Sequence, residues 1–200
     1  MAGVPFLGLT GGLGAGKSEA LRALADLGAA TLSTDEVVHE LLGSDELRDI
    51  VVARLGDEVA PDSTLDRALI AERVFADEDG RKWQEGELWP RVGRRVVEWR
   101  QEVDALAPPP RAAVVEVPLL FESGMEAAFD ATIAVVADED VRAERAGARG
   151  HAAVAERTGR QLSQEEKAQR ADFEVRNDGS LDELREKLSL VLARLDPPPP

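Results

Sequence analysis

The chain has 200 residues, 44% of them hydrophobic, which is enough for one domain, or one domain with an insertion, around a full core. It contains no cysteine, which excludes a disulfide framework and a zinc–thiolate site. Its formal net charge of −15 argues against nucleic acid or an anionic membrane as a partner.

Strand-like and helix-like segments alternate along the chain. Strands are predicted at residues 4–10, 29–33, 111–117, 131–137 and 173–177. Helices are predicted at 17–27, 35–42, 45–55, 66–75, 77 to about 107, 139–148, 164–171 and 180–195. This alternation is typical of a parallel sheet covered by helices on both faces, so the predicted fold class is α/β.

The first predicted strand runs into a glycine-rich octapeptide at residues 11–18, Gly-Gly-Leu-Gly-Ala-Gly-Lys-Ser. It matches the phosphate-binding pattern G-x-x-x-x-G-K-[ST], and it lies between a strand and a helix as that pattern requires. Glycines let backbone N–H groups approach phosphate oxygens, Lys17 reaches the β- and γ-phosphates, and the Ser18 hydroxyl ligates Mg²⁺. The start of the helix adds partial positive charge. The sequence therefore predicts binding of a nucleoside triphosphate; the alternative is a glycine-rich turn that carries a lysine by chance.

The second and third predicted strands are too far apart for one crossover helix. Residues from about 36 to 110 are therefore predicted to form a helical insertion beside the sheet, where a second substrate would bind. We expect a single domain over residues 1–196, with its core at about 1–35 and 111–196, followed by a proline tail at 197–200.

An arginine-rich segment follows the fourth predicted strand. Residues 142–160 hold five arginines, at 142, 145, 149, 157 and 160, with three glycines and only two acids. Arginines make multi-donor contacts with phosphate, and glycines allow hinge movement. Beside a phosphate-binding loop this pattern favours a mobile lid over about 142–162, and the alternative is a solvated helix with charge pairs.

Two carboxylates follow predicted strands at the edge where open parallel sheets bind ligands. Asp35 follows the second strand and is a candidate base for an acceptor hydroxyl, a candidate helix N-cap, or both. Glu116 ends the third strand, where metal-bound water or an arginine would be its partner. His39 and His151 form no ligand pattern. Tryptophans 83, 89 and 99 are expected mostly in the core, although one could stack on a base.

Several separated motifs resemble those of dephospho-coenzyme A kinases, from Leu7 to about Gly179. They are Gly8 to Ser18, Leu65-Asp66-Arg67 with Val74-Phe75-Ala76, Val117-Pro118-Leu119-Leu120-Phe121-Glu122, Arg145 with Arg149, Arg157 with Gln161, and Ala171-Asp172 with Asn177 and Gly179. The resemblance implies a P-loop kinase fold, with a five-stranded parallel sheet covered on both faces, an inserted helical substrate-binding region and an arginine-rich lid. It also implies transfer of the ATP γ-phosphate to the ribose 3′-hydroxyl of dephospho-coenzyme A.

The resemblance and the motifs together give a set of site residues. Asp35, Lys17 and Arg145 are expected to be catalytic, with Asp35 at the position of the family's proposed base and Ser18 on the metal. The expected nucleotide-binding residues are Gly12, Leu13, Gly14, Ala15, Gly16, Lys17, Ser18, Glu19, Arg149, Asn177 and Gly179. The expected acceptor-binding residues are Asp35, Arg67, Trp89, Glu116 and Leu119. ATP and Mg²⁺ are the expected cofactors.

Three positions depart from the family pattern. Ser33 replaces the first carboxylate of Asp-x-Asp, Glu116 replaces Asp, and Trp89-Pro90 replaces His-Pro. The changes at Ser33 and Trp89 concern the acceptor side more than the ATP side. A kinase for another small hydroxyl acceptor, such as a nucleoside or sugar, and a non-catalytic ATP-binding protein are the rival interpretations. Apart from the small-molecule substrate no partner is expected, neither protein, nucleic acid nor membrane, and no address signal is found, so we expect a cytoplasmic protein.

Overall fold

A computed structural model describes residues 3–75, 78–147 and 161–195, and these residues contain a five-stranded parallel sheet. The strands are β1 (Phe6–Gly11), β2 (Ala30–Ser33), β3 (Ala113–Glu116), β4 (Ala131–Val136) and β5 (Phe173–Arg176). Their order across the sheet is β2-β3-β1-β4-β5, so β1 is the central strand. Every residue of β3 and β4 is buried, as expected of apolar strands covered on both faces. The α/β prediction is confirmed.

The predicted helices are present, with their ends shifted by a few residues. They are α1 (Lys17–Asp26), α2 (Thr34–Leu42), α3 (Asp45–Leu55), α4 (Arg67–Phe75), α5 (Glu78–Asp104), α6 (Glu139–Gly147), α7 (Gln164–Arg170) and α8 (Leu181–Leu195). Three short 3₁₀ turns were not predicted, at Asp57–Val59, Pro61–Ser63 and Met125–Ala128. Because α2 begins at Thr34, one residue before the predicted start, Asp35 lies in the first turn of the helix.

The chain divides into two compact units. The sheet unit consists of Met1–Ser33 with Arg100–Pro200, and the helical unit consists of Thr34–Trp99. The core of the sheet unit includes Leu7 and Leu9 of β1, Leu24 of α1 and Leu188 of α8. The helical unit has its own core, built from α2, α3, α4 and the first part of α5, including Leu47, Ile70 and Val74. No helix in the described ranges is long and apolar enough to span a bilayer.

Candidate active site

The predicted phosphate-binding loop joins the central strand to α1. β1 ends at Gly11 and α1 begins at Lys17, so the loop leaves the carboxyl end of the strand and enters a helix N-terminus. Gly14 and Gly16 have φ angles of 74° and 92°, in the left-handed region. A side chain there costs about 1–2 kcal/mol, which explains why glycine stands at both positions. The curled backbone is the cradle that the octapeptide predicts.

Lys17 lies against the mouth of this loop. Its Nζ donates to the carbonyl oxygens of Gly11 and Gly12, each at 3.1 Å. Ser18 and Glu19 follow in the first turn of α1, where Glu19 forms a 4.0 Å ion pair with Arg22. An ammonium group, a helix N-terminus and a hydroxyl therefore lie at one end of the sheet. This is the charge distribution that a phosphate group requires.

Asn177 holds the loop from the end of β5. Its side chain is buried, with 3% of the residue exposed, and its Nδ2 donates to the carbonyl oxygen of Ala15 at 2.9 Å. A Cβ atom on Gly16 would collide with the same amide. Gly179, two residues later, packs against Glu183, so a Cβ there would meet that carboxylate. Asn177 thus supports the loop backbone, while its role in nucleotide binding stays a prediction.

Two arginines of α6 also contact this region. Arg142 Nε donates to the carbonyl oxygen of Leu13 at 2.9 Å, and Arg145 Nη1 donates to the carbonyl oxygen of Asn177 at 3.0 Å. The pKa of Glu165 is lowered because its carboxylate accepts from its own backbone N–H and from the Gln164 amide, and Arg142 adds to this effect. The first residues of the expected lid therefore contact both the phosphate-binding loop and Asn177, which supports that loop.

The rest of the expected lid falls largely outside the described residues. Residues 148–160 are not described, and they include Arg149, His151 and Arg157. Gln161, at the end of the motif, is described and half-buried. The nucleotide-binding role of Arg149 therefore stays a prediction.

Glu116 lies at the carboxyl end of β3, on the same edge of the sheet as the loop. It is paired in register with Leu9 of β1 and with Ser33 of β2. Glu116 and Ser33 are each 6% exposed. Leu119 follows in the half-buried turn after the strand. The structure thus places Glu116 and Ser33 in register on neighbouring strands, and Ser33 stands at the position where the family pattern has its first Asp.

A buried lysine behind this turn was not predicted. Lys167 of α7 is fully buried, and its Nζ donates to the carbonyl oxygen of Pro118 at 2.5 Å and pairs with Glu122 Oε1 at 3.0 Å. The same carboxylate oxygen accepts the Leu162 N–H at 2.8 Å. No local signal in α7 indicates this burial, because the helix reads Gln-Glu-Glu-Lys-Ala-Gln-Arg and has the polar composition of an exposed helix.

The remaining acceptor-side candidates belong to the helical unit. Asp35 is exposed in the first turn of α2, and Arg67 is exposed at the start of α4. The neighbouring Asp66 caps α4, with its Oδ1 accepting the N–H groups of Ala68 and Leu69 at 2.8 and 3.1 Å. Trp89 is 49% exposed.

The other two tryptophans pack in the core, as most were expected to. Trp99 is buried, and Trp83 packs against the core of the helical unit. Trp89 is therefore the tryptophan with a large accessible face. An exposed aromatic ring of this kind is available to stack on a planar ligand.

The whole chain has clear relatives. The profile of the dephospho-CoA kinase family matches residues 5–183. A dephospho-CoA kinase of Protochlamydia amoebophila is 40% identical over 185 residues, covering 90% of this chain and 91% of the relative. A crystal structure from Thermus thermophilus is 32% identical with a TM-score of 0.80, covering 98% of this chain and 100% of that one. A dephospho-CoA kinase structure from Campylobacter jejuni is 25% identical with a TM-score of 0.69, covering 95% and 96%. These similarities extend far beyond the phosphate-binding loop.

Proposed function

Because the chain belongs to the dephospho-CoA kinase family, we propose that it transfers the γ-phosphate of ATP to the ribose 3′-hydroxyl of dephospho-CoA. The products are CoA and ADP, and the reaction is the last step of CoA biosynthesis. The observation that carries the proposal is the glycine-rich cradle with Lys17 at its mouth, at the end of the central strand of a P-loop kinase fold.

The loop and α1 bind the phosphates of ATP. Backbone N–H groups of residues 12–19 and the ammonium of Lys17 replace water around the β- and γ-phosphate oxygens. Arg145, and Arg149 of the proposed lid at 142–162, balance charge that develops on the transferred group. Lys17 now donates to two loop carbonyls, and these bonds are exchanged for phosphate oxygens when the nucleotide binds.

Mg²⁺ fits this site as an ion that binds together with the nucleotide. Within the described ranges, no cluster of three or more His, Cys, Asp or Glu side chains could hold a metal ion by itself. A hydroxyl ligand from Ser18 together with phosphate oxygens and water is the donor set that Mg²⁺ prefers. When bound, the ion neutralises charge on the β- and γ-phosphates.

A second set of residues acts on the acceptor in this proposal. Asp35 takes the proton of the 3′-hydroxyl while the oxygen of that hydroxyl bonds to the γ-phosphorus. The bond between the γ-phosphorus and the β–γ bridging oxygen breaks at the same time, and ADP is released. We assign Arg67, Trp89, Glu116 and Leu119 to acceptor binding. In this proposal the helical insertion at about 36–110 holds most of the dephospho-CoA.

The test is ADP release from Mg-ATP with and without dephospho-CoA, with Lys17→Ala as the control. We expect release that depends on the acceptor, with CoA formed in equal amount, and its loss in Lys17→Ala. Release that follows a nucleoside or a sugar instead would assign the chain to another acceptor. ATP binding without acceptor-dependent release would contradict kinase activity.

The role of Asp35 has a separate test. Asp35→Asn keeps the size of the side chain and removes the base, so we expect turnover to fall by ~10²–10⁴-fold with little change in ATP affinity. Turnover and nucleotide binding are measured on the same preparation. A near wild-type rate would remove Asp35 as the base.

A further inference from the structure

Lys167 is an unusual residue to find fully buried in this chain. The sequence has only four lysines among 24 basic residues, and this one has none of its surface exposed. Burial of an ammonium group is unfavourable unless a carboxylate and further hydrogen bonds compensate for lost hydration. Here Glu122 and the Pro118 carbonyl supply both. A buried pair of this kind is better evidence of a required arrangement than of stability.

The pair fixes the segment that follows β3. Residues 117–122, the post-β3 segment, contain both partners of Lys167 and also Leu119, which we assign to the acceptor. The Pro118 carbonyl accepts from Lys167 and, at 3.3 Å, from the hydroxyl of Thr10 in β1. The second carboxylate oxygen of Glu122 is buried and has no hydrogen-bond partner among the residues that the structure describes. Glu122 therefore depends on Lys167 for charge compensation.

Hydrogen bonds hold α7 in place, and they therefore fix the position of the Lys167 backbone. The Gln164 side chain donates to the Ala137 carbonyl at 2.8 Å and accepts the Ala137 N–H at 3.1 Å, at the end of β4. Ser163 and Glu166 form a capping box at the start of the helix. The helix contacts the end of β4 through Gln164 and the post-β3 segment through Lys167.

We infer that Lys167 is a positioning residue for the acceptor. By holding Pro118 and Glu122, it sets the backbone that carries Leu119 beyond Glu116. This assignment rests on the proposed function. It differs from a purely structural role because it predicts a change in KM for dephospho-CoA and not in KM for ATP.

The experiment compares Lys167→Met with Lys187→Met in the full chain. Lys187 is a half-buried lysine of α8 whose Nζ donates to the Arg176 carbonyl, so it controls for the same chemical change elsewhere. For Lys167→Met we expect KM for dephospho-CoA to rise about tenfold or more, with KM for ATP within about twofold of wild type. Lys167→Arg, which keeps the charge, restores part of the loss, and Lys187→Met behaves as wild type.

A double variant keeps the test decisive where Lys167→Met does not fold. Lys167→Met with Glu122→Gln leaves no stranded carboxylate and retains an acceptor for the Leu162 N–H, so it is expected to fold and still show the raised KM for dephospho-CoA. Circular dichroism confirms folding. A double variant that fails to fold, or a folded variant with both KM values unchanged or equally raised, would overturn the role of Lys167. Wild-type enzyme without dephospho-CoA-dependent turnover would instead overturn the proposed function, and this assignment with it.

Discussion

The contact between Gly16 and Asn177 allows the packing of the phosphate-binding loop to be tested by a double-mutant cycle. In Gly16→Ala, the new methyl group occupies a left-handed position with φ of 92° and collides with the Asn177 amide. The left-handed backbone costs about 1–2 kcal/mol and the overpacking about 1–3 kcal/mol. We therefore expect the free energy of unfolding to fall by about 2–5 kcal/mol.

The partner variant is Asn177→Ala. It leaves the Ala15 carbonyl without its 2.9 Å hydrogen bond from a buried amide, which costs about 1–3 kcal/mol. In the double variant the collision disappears while the backbone strain remains. The double variant is therefore expected to be about 1–3 kcal/mol more stable than the sum of the two single changes predicts.

Urea unfolding followed by circular dichroism measures all three variants. Gly124→Ala is the matched control, because Gly124 also has a left-handed φ, of 70°, yet nothing lies within 4 Å of a Cβ there. It should lose only the backbone contribution of about 1–2 kcal/mol. Additivity of the Gly16 and Asn177 changes to within about 0.5 kcal/mol would refute the contact.

Two further changes test the sheet and the acceptor side. Asp172→Ala removes the acceptor for the N–H and hydroxyl of Thr132, both at 2.8 Å, and should lower the free energy of unfolding by about 1–3 kcal/mol. Asp172→Asn should lose less, and equal urea midpoints for Asp172→Ala and wild type would contradict this prediction. Trp89→Ala should raise KM for dephospho-CoA by about 3–10-fold with KM for ATP unchanged, and an unchanged acceptor KM would remove Trp89 from the site.

The local parts of the site were predictable from sequence. The octapeptide specifies its own geometry, because glycines at fixed positions, a preceding apolar strand and a following helix are contiguous in the chain. Strands β3 and β4 were predictable for a similar reason, since an apolar run without alternation is typical of a strand buried on both faces. The start of α2 was predicted less well, because the helix begins at Thr34, one residue before the predicted start.

Contacts between distant residues were not predictable in the same way. The arginine-rich composition predicts that arginines 142 and 145 bind phosphate, which stays a prediction, but only the fold shows that they reach the Leu13 and Asn177 carbonyls. Lys167 and Pro118 are separated by 49 residues, and no local pattern links a lysine in a polar helix to a proline carbonyl. The burial of Lys167 follows from tertiary packing rather than from any preference of lysine.

The central place of β1 has a consequence for motion. This strand has β3 on one side and β4 on the other, so its backbone amides exchange with solvent only when a neighbouring strand detaches. The phosphate-binding loop is therefore attached to the part of the sheet that opens last. Thermal fluctuation at the edge strands β2 and β5 leaves the base of the loop in place, so the loop backbone starts each turnover in the same conformation.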